Sequence, residues 1–209
     1  MSTYSDMQTR IADELARADL TTEIQQAIQT AIAYYQPLRL YGTEQRVQGA
    51  FNTVQSQEFY GQADWSEMPN VRRVDRITVT VATNRYTMNP RTPQYMEDVS
   101  VNPLWEGQPI DFSFYNQQLR FYPIPDAVYP VTVMGTMVVA APVNGSDSNF
   151  WTNDAELLIR SRAKRELLAH VIRDTDMLQV LMAAEADALA NLKRTSARMA
   201  STRIRPTGW

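Results

Sequence analysis

The chain has 209 residues, 44% hydrophobic and 21% charged, with a net charge of −3. That balance suits a folded protein of one domain or two small ones and gives no bulk electrostatic pull towards nucleic acid or membrane. There is no cysteine, which excludes disulfides and thiolate sites and fits synthesis inside a cell. The amino terminus is polar from the start, unlike a secretory signal, and no apolar run approaches the roughly 20 residues that a membrane-spanning helix needs.

In chain order, a capping box Ser5-x-x-Gln8 ahead of Met7, Ile11, Ala12 and Leu15 predicts a short helix over 6–18. Residues 19–23 break and recap the chain. Ile24, Ala27, Ile28, Ala31, Ile32 and Tyr35 then recur at helical spacing until Pro37 stops them. From residue 38 to 149 the texture changes. Ten of the eleven prolines fall in 37–149, and alternation of period two replaces the helical step. Ile77, Val79 and Val81 alternate with threonines as a half-buried strand. Residues 111–115 and 118–122, around Asn116-Gln117, read as a tight hairpin closed by Pro123-Ile124-Pro125-Asp126. Residues 129–140 predict another strand, 50–60 one or two more, and 93–99 a single helical turn.

Helical periodicity returns at Phe150-Trp151-Thr152-Asn153-Asp154, where Thr152 or Asn153 is placed to cap. Leu157, Leu158, Ile159, Ala163, Leu167, Leu168, Val171 and Ile172 form one broad face, with Arg160, Arg162, Arg165 and Glu166 opposite. After a break at Asp174, Met177, Leu178, Leu181, Ala184, Ala188, Leu189 and Leu192 mark a second helix over about 175–196. Each helix should be roughly 30 Å long at about 1.5 Å per residue. The expected fold is α+β: a helical bundle from 1–37 and 150–195, an inserted antiparallel β-rich region over 38–149, and an extended C-terminal arm over 196–209.

The residues that carry enzyme chemistry are sparse. No phosphate-cradling glycine loop or nucleophile elbow is present. His170 is the only histidine, too few for a triad or a histidine metal site, and reads as a structural helix residue. The carboxylate pairs Glu97/Asp98, Asp174/Asp176 and Glu185/Asp187 sit one or two residues apart, so each pair diverges on a helix and reads as caps or solvated faces. Trp65, Trp105, Trp151, Phe112, Phe114, Tyr115, Phe121 and Tyr122 could stack nucleic-acid bases, but they lack interleaved cations apart from Arg120 and suit sheet core better. No catalytic, cofactor-binding or metal-binding residue is assigned, and the expectation is a non-enzymatic protein without cofactors.

The tail is different. Residues 193–209 hold five basic residues and no acid, leaving the other 192 at −8. A solvated terminus, an arm that orders on a partner, and contact with DNA phosphates are all open. Arginines beside a terminal tryptophan favour the arm, since both types anchor interfaces. Its candidate contacts are Arg194, Arg198, Met199, Arg203, Ile204, Arg205 and Trp209.

The layout as a whole resembles the head-to-tail adaptor (neck or connector) proteins of tailed bacteriophages. The likeness is carried by Tyr4-Ser5-Asp6-Met7 leading to Tyr34-Tyr35, by Phe114-Tyr115-Asn116-x-x-Leu119-Arg120-Phe121-Tyr122-Pro123-x-Pro125-Asp126, by Asn149-Phe150-Trp151-Thr152, and by the run from Ala155 to Leu167. It implies a structural virion protein at the portal vertex, made in the host cytoplasm, that assembles as a dodecameric ring beneath the portal protein and extends the DNA channel. Double-stranded DNA would pass the lumen without sequence-specific binding. The arm would dock on the portal, loops of 38–149 would meet the next tail or nozzle protein, and no membrane is involved. Other tail components, such as a tube-completion or baseplate protein, are the alternative, followed by a cell-wall-degrading accessory factor using Glu97, Asp98 or Glu106, or a DNA-binding protein using Arg160 to Arg165.

Overall fold

A computed structural model describes residues 1–100, 105–173 and 177–200. In chain order the elements are α1 (Tyr4–Leu15), α2 (Thr21–Tyr35), β1 (Glu44–Asn52), β2 (Phe59–Tyr60), β3 (Val71–Val81), β4 (Asn84–Thr87) and β5 (Asn89–Pro90). They continue with α3 (Pro93–Val99), β6 (Glu106–Gly107), β7 (Asp111–Tyr115), β8 (Gln118–Tyr122), β9 (Ile124–Pro125), β10 (Pro130–Met137), α4 (Glu156–Glu166) and α5 (Leu178–Ala200). The fold is α+β. The chain forms two compact units: residues 1–42 with the chain from 139 onward, and residues 43–138.

The helical unit buries the faces that periodicity marks. Met7 and Ile11 of α1, Ile24, Ile28, Ala31 and Ile32 of α2, and Leu158, Ile159 and Ala163 of α4 share one core. The cap of α1 lies earlier than Ser5. Thr3 accepts from the Asp6 amide at 3.2 Å and Asp6 accepts from the Thr3 amide at 2.9 Å. The amides of Tyr4 and Ser5 donate to the carbonyls of Asp147 and Gly145, so tertiary contacts set where the helix begins. The chain rejoins this unit at Val139, well before the helical periodicity resumes. Val139 O accepts from the fully buried Trp151 indole at 3.0 Å and from the Gln36 amide at 2.8 Å. Asn153 does not cap α4 but accepts from the Ser2 amide, while Asn149 and Thr152 close a turn on each other.

The expected long first C-terminal helix is shorter in its α-helical part. Beyond Glu166 it continues as a π-helical stretch, Leu167–Ile172, which ends at a left-handed Arg173. Its polar side is not a solvated face. Arg160 pairs with Glu14 at 3.2 Å, Lys164 also pairs with Glu14, and Glu156 receives Arg10 at 2.8 Å. Leu157 and Val171, by contrast, are exposed.

The β unit holds two four-stranded sheets, in the orders β1-β10-β3-β4 and β2-β8-β7-β5. Most pairings are antiparallel, but β5 runs parallel to β7 and β6 parallel to β9; these two-residue strands fall below what alternation can reveal. The hairpin β7-β8 turns at Asn116 and Gln117, both left-handed, the geometry that matches strand twist. Between the sheets Phe51, Tyr60 and Phe121 cluster with ring centroids 5.0–6.1 Å apart, beside Trp65, Ile77, Val79, Val131 and Val133. Of the aromatic residues that read as core, Trp65, Trp151, Phe112, Phe121 and Tyr122 are buried, whereas Trp105 and Tyr115 are exposed.

Gly135 sits at a register shift between β10 and β3, where a Cβ would lie 2.0 Å from the Arg73 carbonyl oxygen. Backbone cannot retreat as a side chain can. Gly135→Ala is expected to destabilise the protein by about 2 kcal/mol or more. Gly49→Ala, at φ +63 with open space around it, should cost only about 1 kcal/mol. Chemical denaturation of both variants checks the order; equal losses would contradict it.

Candidate interaction surfaces

α5 carries a carboxylate on its buried stripe. Leu181, Ala188 and Leu192 line that stripe, and Glu185 takes the position between them. A charge so placed must be matched. The Tyr35 hydroxyl donates to Glu185 Oε1, Arg162 Nη1 lies 3.5 Å from the same oxygen, and Arg165 Nη1 lies 2.8 Å from Oε2. That last contact is an ion pair off the hydrogen-bonding direction, so Oε2 has no hydrogen-bond donor. Arg162 also reaches Glu166 at 2.7 Å and stands 4.0 Å from the centroid of the Tyr34 ring. One charge cluster thus joins α2, α4 and α5. Burial first, and the Glu185 carboxylate second, push the Tyr35 phenol well above the ordinary tyrosine range. Beside the cluster lies a groove of about 470 Å³ lined by Tyr34, Leu38, Met182, Leu189, Arg165 and Lys193.

This cluster escapes a reading by composition, which treats Glu185/Asp187 as a carboxylate pair and the α4 arginines as surface charge. Asp187 is exposed, on another side of α5 from Glu185. The signal was there: Glu185 interrupts an apolar stripe, and a lone carboxylate in such a stripe needs cations from the facing helix.

The expected arm begins as helix. α5 runs to Ala200, so residues 196–200 are helical rather than extended, a correction with a visible cause. Ser196 Oγ donates to the Leu192 carbonyl at 3.0 Å and accepts from the Tyr41 amide at 3.1 Å, which secures the last turns of the helix. Arg194 bonds Asn191 at 3.3 Å and is exposed with Arg198 and Met199, the last at 63%. Arg203, Ile204, Arg205 and Trp209 lie outside the described residues.

The residues weighed for enzyme chemistry are dispersed. His170 is exposed, 3.4 Å from Glu166 on the same helix turn. Glu97 receives Arg120 at 2.7 Å, and Glu106 accepts from the Ser56 hydroxyl at 2.7 Å. Asp174 and Asp176 lie outside the described residues. Among the described residues no group of three or more acidic or histidine side chains is placed to hold a metal, and no helix is long and apolar enough to cross a membrane.

What this arrangement offers is contact surface: a pinned terminal helix, an exposed basic end and a shallow groove. The same organisation extends to known sequences, for a model of the SU10 adaptor protein family matches residues 2–207. The chain belongs to that family. Comparison with curated proteins gives no match. The SU10 adaptor proteins are a bacteriophage head-to-tail adaptor family, so the chain is a structural phage adaptor of the virion.

Within this adaptor the Glu185 cluster should control how α5 is held. Glu185→Ala leaves Arg165 and the Tyr35 hydroxyl without their carboxylate, while Arg162 keeps Glu166, and is expected to cost about 3 kcal/mol or more, against roughly 1.5–3 kcal/mol for Tyr35→Phe, which deletes a hydrogen bond to a charge. The sign of the pH effect follows from the raised phenol. Unfolded tyrosine ionises near pH 10 while folded Tyr35 stays protonated, so its stability is complete below about pH 10 and falls as pH rises beyond it. Thermal melts across alkaline pH should fall more steeply for the parent than for Tyr35→Phe; parallel curves would count against the assignment.

Proposed function

We propose that this adaptor is one subunit of a dodecameric ring that sits beneath the portal protein, extends the DNA channel and joins capsid to tail. The family match over nearly the whole chain carries the reading. The subunit acts by shape and multiplicity rather than by turnover. The end of α5 projects Lys193, Arg194 and Arg198, whose exposed cations have no acidic partner among the described residues. From that stem the residues to 209 serve as the portal-binding arm, with Arg203, Arg205 and Trp209 as its anchors. The neighbouring copies cover exposed apolar groups of the helical unit, among them Val180 and Met182, exposed at 59% and 48%. Residues 43–138 present Trp105, Ile110 and, at the end of β7, Tyr115, all exposed, to the next tail or nozzle protein. Duplex DNA passes through the lumen without base-specific contacts. The subunit is made in the host cytoplasm and resides at the portal vertex.

The test is native mass measurement with and without purified portal, where a stoichiometric ring complex is expected. Truncation after Ala200 leaves α5 and its Tyr41 tie in place. It should keep the far-ultraviolet circular dichroism of the parent yet weaken portal binding at least about tenfold, roughly 1.4 kcal/mol. Undiminished binding by the truncated chain would move the portal contact elsewhere.

A further inference from the structure

Arginine is gathered on one sheet of the β unit. Of the seven arginines in residues 43–138, five lie on β1, β3 and β4; of the ten acids, only Glu44 and Asp75 lie on strands of that sheet. Residues paired directly across neighbouring strands point to the same side. Val47, Val133 and Ile77 form one such row, and Phe51, Val131 and Val79 another; both face the core. The alternate rows therefore face away from it. They are Arg46, Met134 and Arg76; Thr132, Thr78 and Thr87; and Thr80 with Arg85. Past the register shift, Glu44, Thr136 and Arg73 form the last row.

The arginines of this outer face are exposed, while Thr132 and Thr136 between them are buried at 5% and 4%. Long arginine stems flanking a short threonine give that pattern. Arg73 is matched by Asp75 at 2.9 Å, whereas Arg46, Arg76 and Arg85 have no acidic partner among the described residues. Arg46 and Arg76 stand two strand spacings apart, about 10 Å, and Arg85 lies about four residues further along, roughly 13 Å. The face carries one exposed large apolar residue, Met134 at 37%, and no aromatic anchor of the kind that centres protein interfaces. Spread cations beside the half-exposed hydroxyls of Thr78 and Thr80 and the exposed hydroxyl of Thr87 suit a line of phosphates instead.

We infer that the outer face of the β1-β10-β3-β4 sheet, centred on Arg46, Arg76 and Arg85, is a contact surface for the phosphate backbone of duplex DNA. The contact reads no bases. It rests on the adaptor reading only for the choice of DNA as the duplex. Segregating the cations in this way gives the β unit, with seven arginines against ten acids, one defined face for a polyanion.

The test uses the full chain, a short labelled DNA duplex in two unrelated sequences, and fluorescence anisotropy at rising salt. The parent should bind both sequences equally, with affinity falling as salt rises. Arg46→Gln/Arg76→Gln/Arg85→Gln should bind at least about tenfold more weakly and reduce the slope of log affinity against log salt by roughly three, with an unchanged melting temperature. Arg17→Gln/Arg173→Gln, in the helical unit and outside the proposed portal arm, should keep the DNA affinity. Undiminished binding by the sheet variant, or no salt-dependent binding by the parent, overturns the inference. So does loss of self-association without change in DNA binding, which would make the face a protein contact. Portal binding is measured on the same proteins. Failure of the parent to join the portal counts against the adaptor reading alone, because the DNA result is read independently.

Discussion

A charged group removed from water dictates how the helical unit is assembled. Glu185 lies on the inner stripe of α5, and α5 leans chiefly on α4. Apolar stripes of leucine and alanine are forgiving: one helix can slide along another and still bury comparable area. A carboxylate is not forgiving, because it is satisfied only where Tyr35, Arg162 and Arg165 converge. Buried ion clusters add little net stability over a well-packed apolar alternative, yet misplacing one is costly, so their strength lies in selecting a single register. Here the register fixes the direction in which α5 presents its basic end. The shape of the groove beside Tyr34 follows from the same fixation.

A second constraint closes the helical unit across a long gap in sequence. The Val139 carbonyl is held by both the Trp151 indole and the Gln36 amide, and Gln29 reaches the Pro142 carbonyl at 2.8 Å. The returning chain is thereby sewn to α2 before α4 begins. Gly145 and Asp147 then take the first amides of α1. The segment between β10 and α4 has little regular structure, but its backbone groups supply much of what joins the two ends of the chain.

Local rules made part of this legible. The apolar step from Ile24 to Tyr35, stopped before Pro37, is α2, and Asn116-Gln117 between alternating runs is the turn of β7-β8. Features that depend on distant partners were not. Ser5 looks like a cap as well as Thr3 does, and only the loop carbonyls at 145 and 147 decide between them. Arg160 and Lys164 look solvated until α1 brings Glu14 to them. The helical end of α5 depends on Ser196 meeting Tyr41, a pair far apart in sequence. The arginine rows are invisible in the sequence for a further reason. Alternation shows which residues of one strand share a side, but nothing in it tells which strand lies next to which, and β10 between β1 and β3 is what sets Arg46 and Arg76 either side of Met134.

The pairing of Glu44 with Thr136 has a bearing on how such a protein can change over time. The strand that opens the β unit and the strand that closes it are neighbours, so the unit begins and ends side by side. Whatever lies between those two points can lengthen, shrink or be swapped for another module without rerouting the helices. A lineage could thus retune the contacts of the β unit against new neighbours while inheriting the helical unit intact.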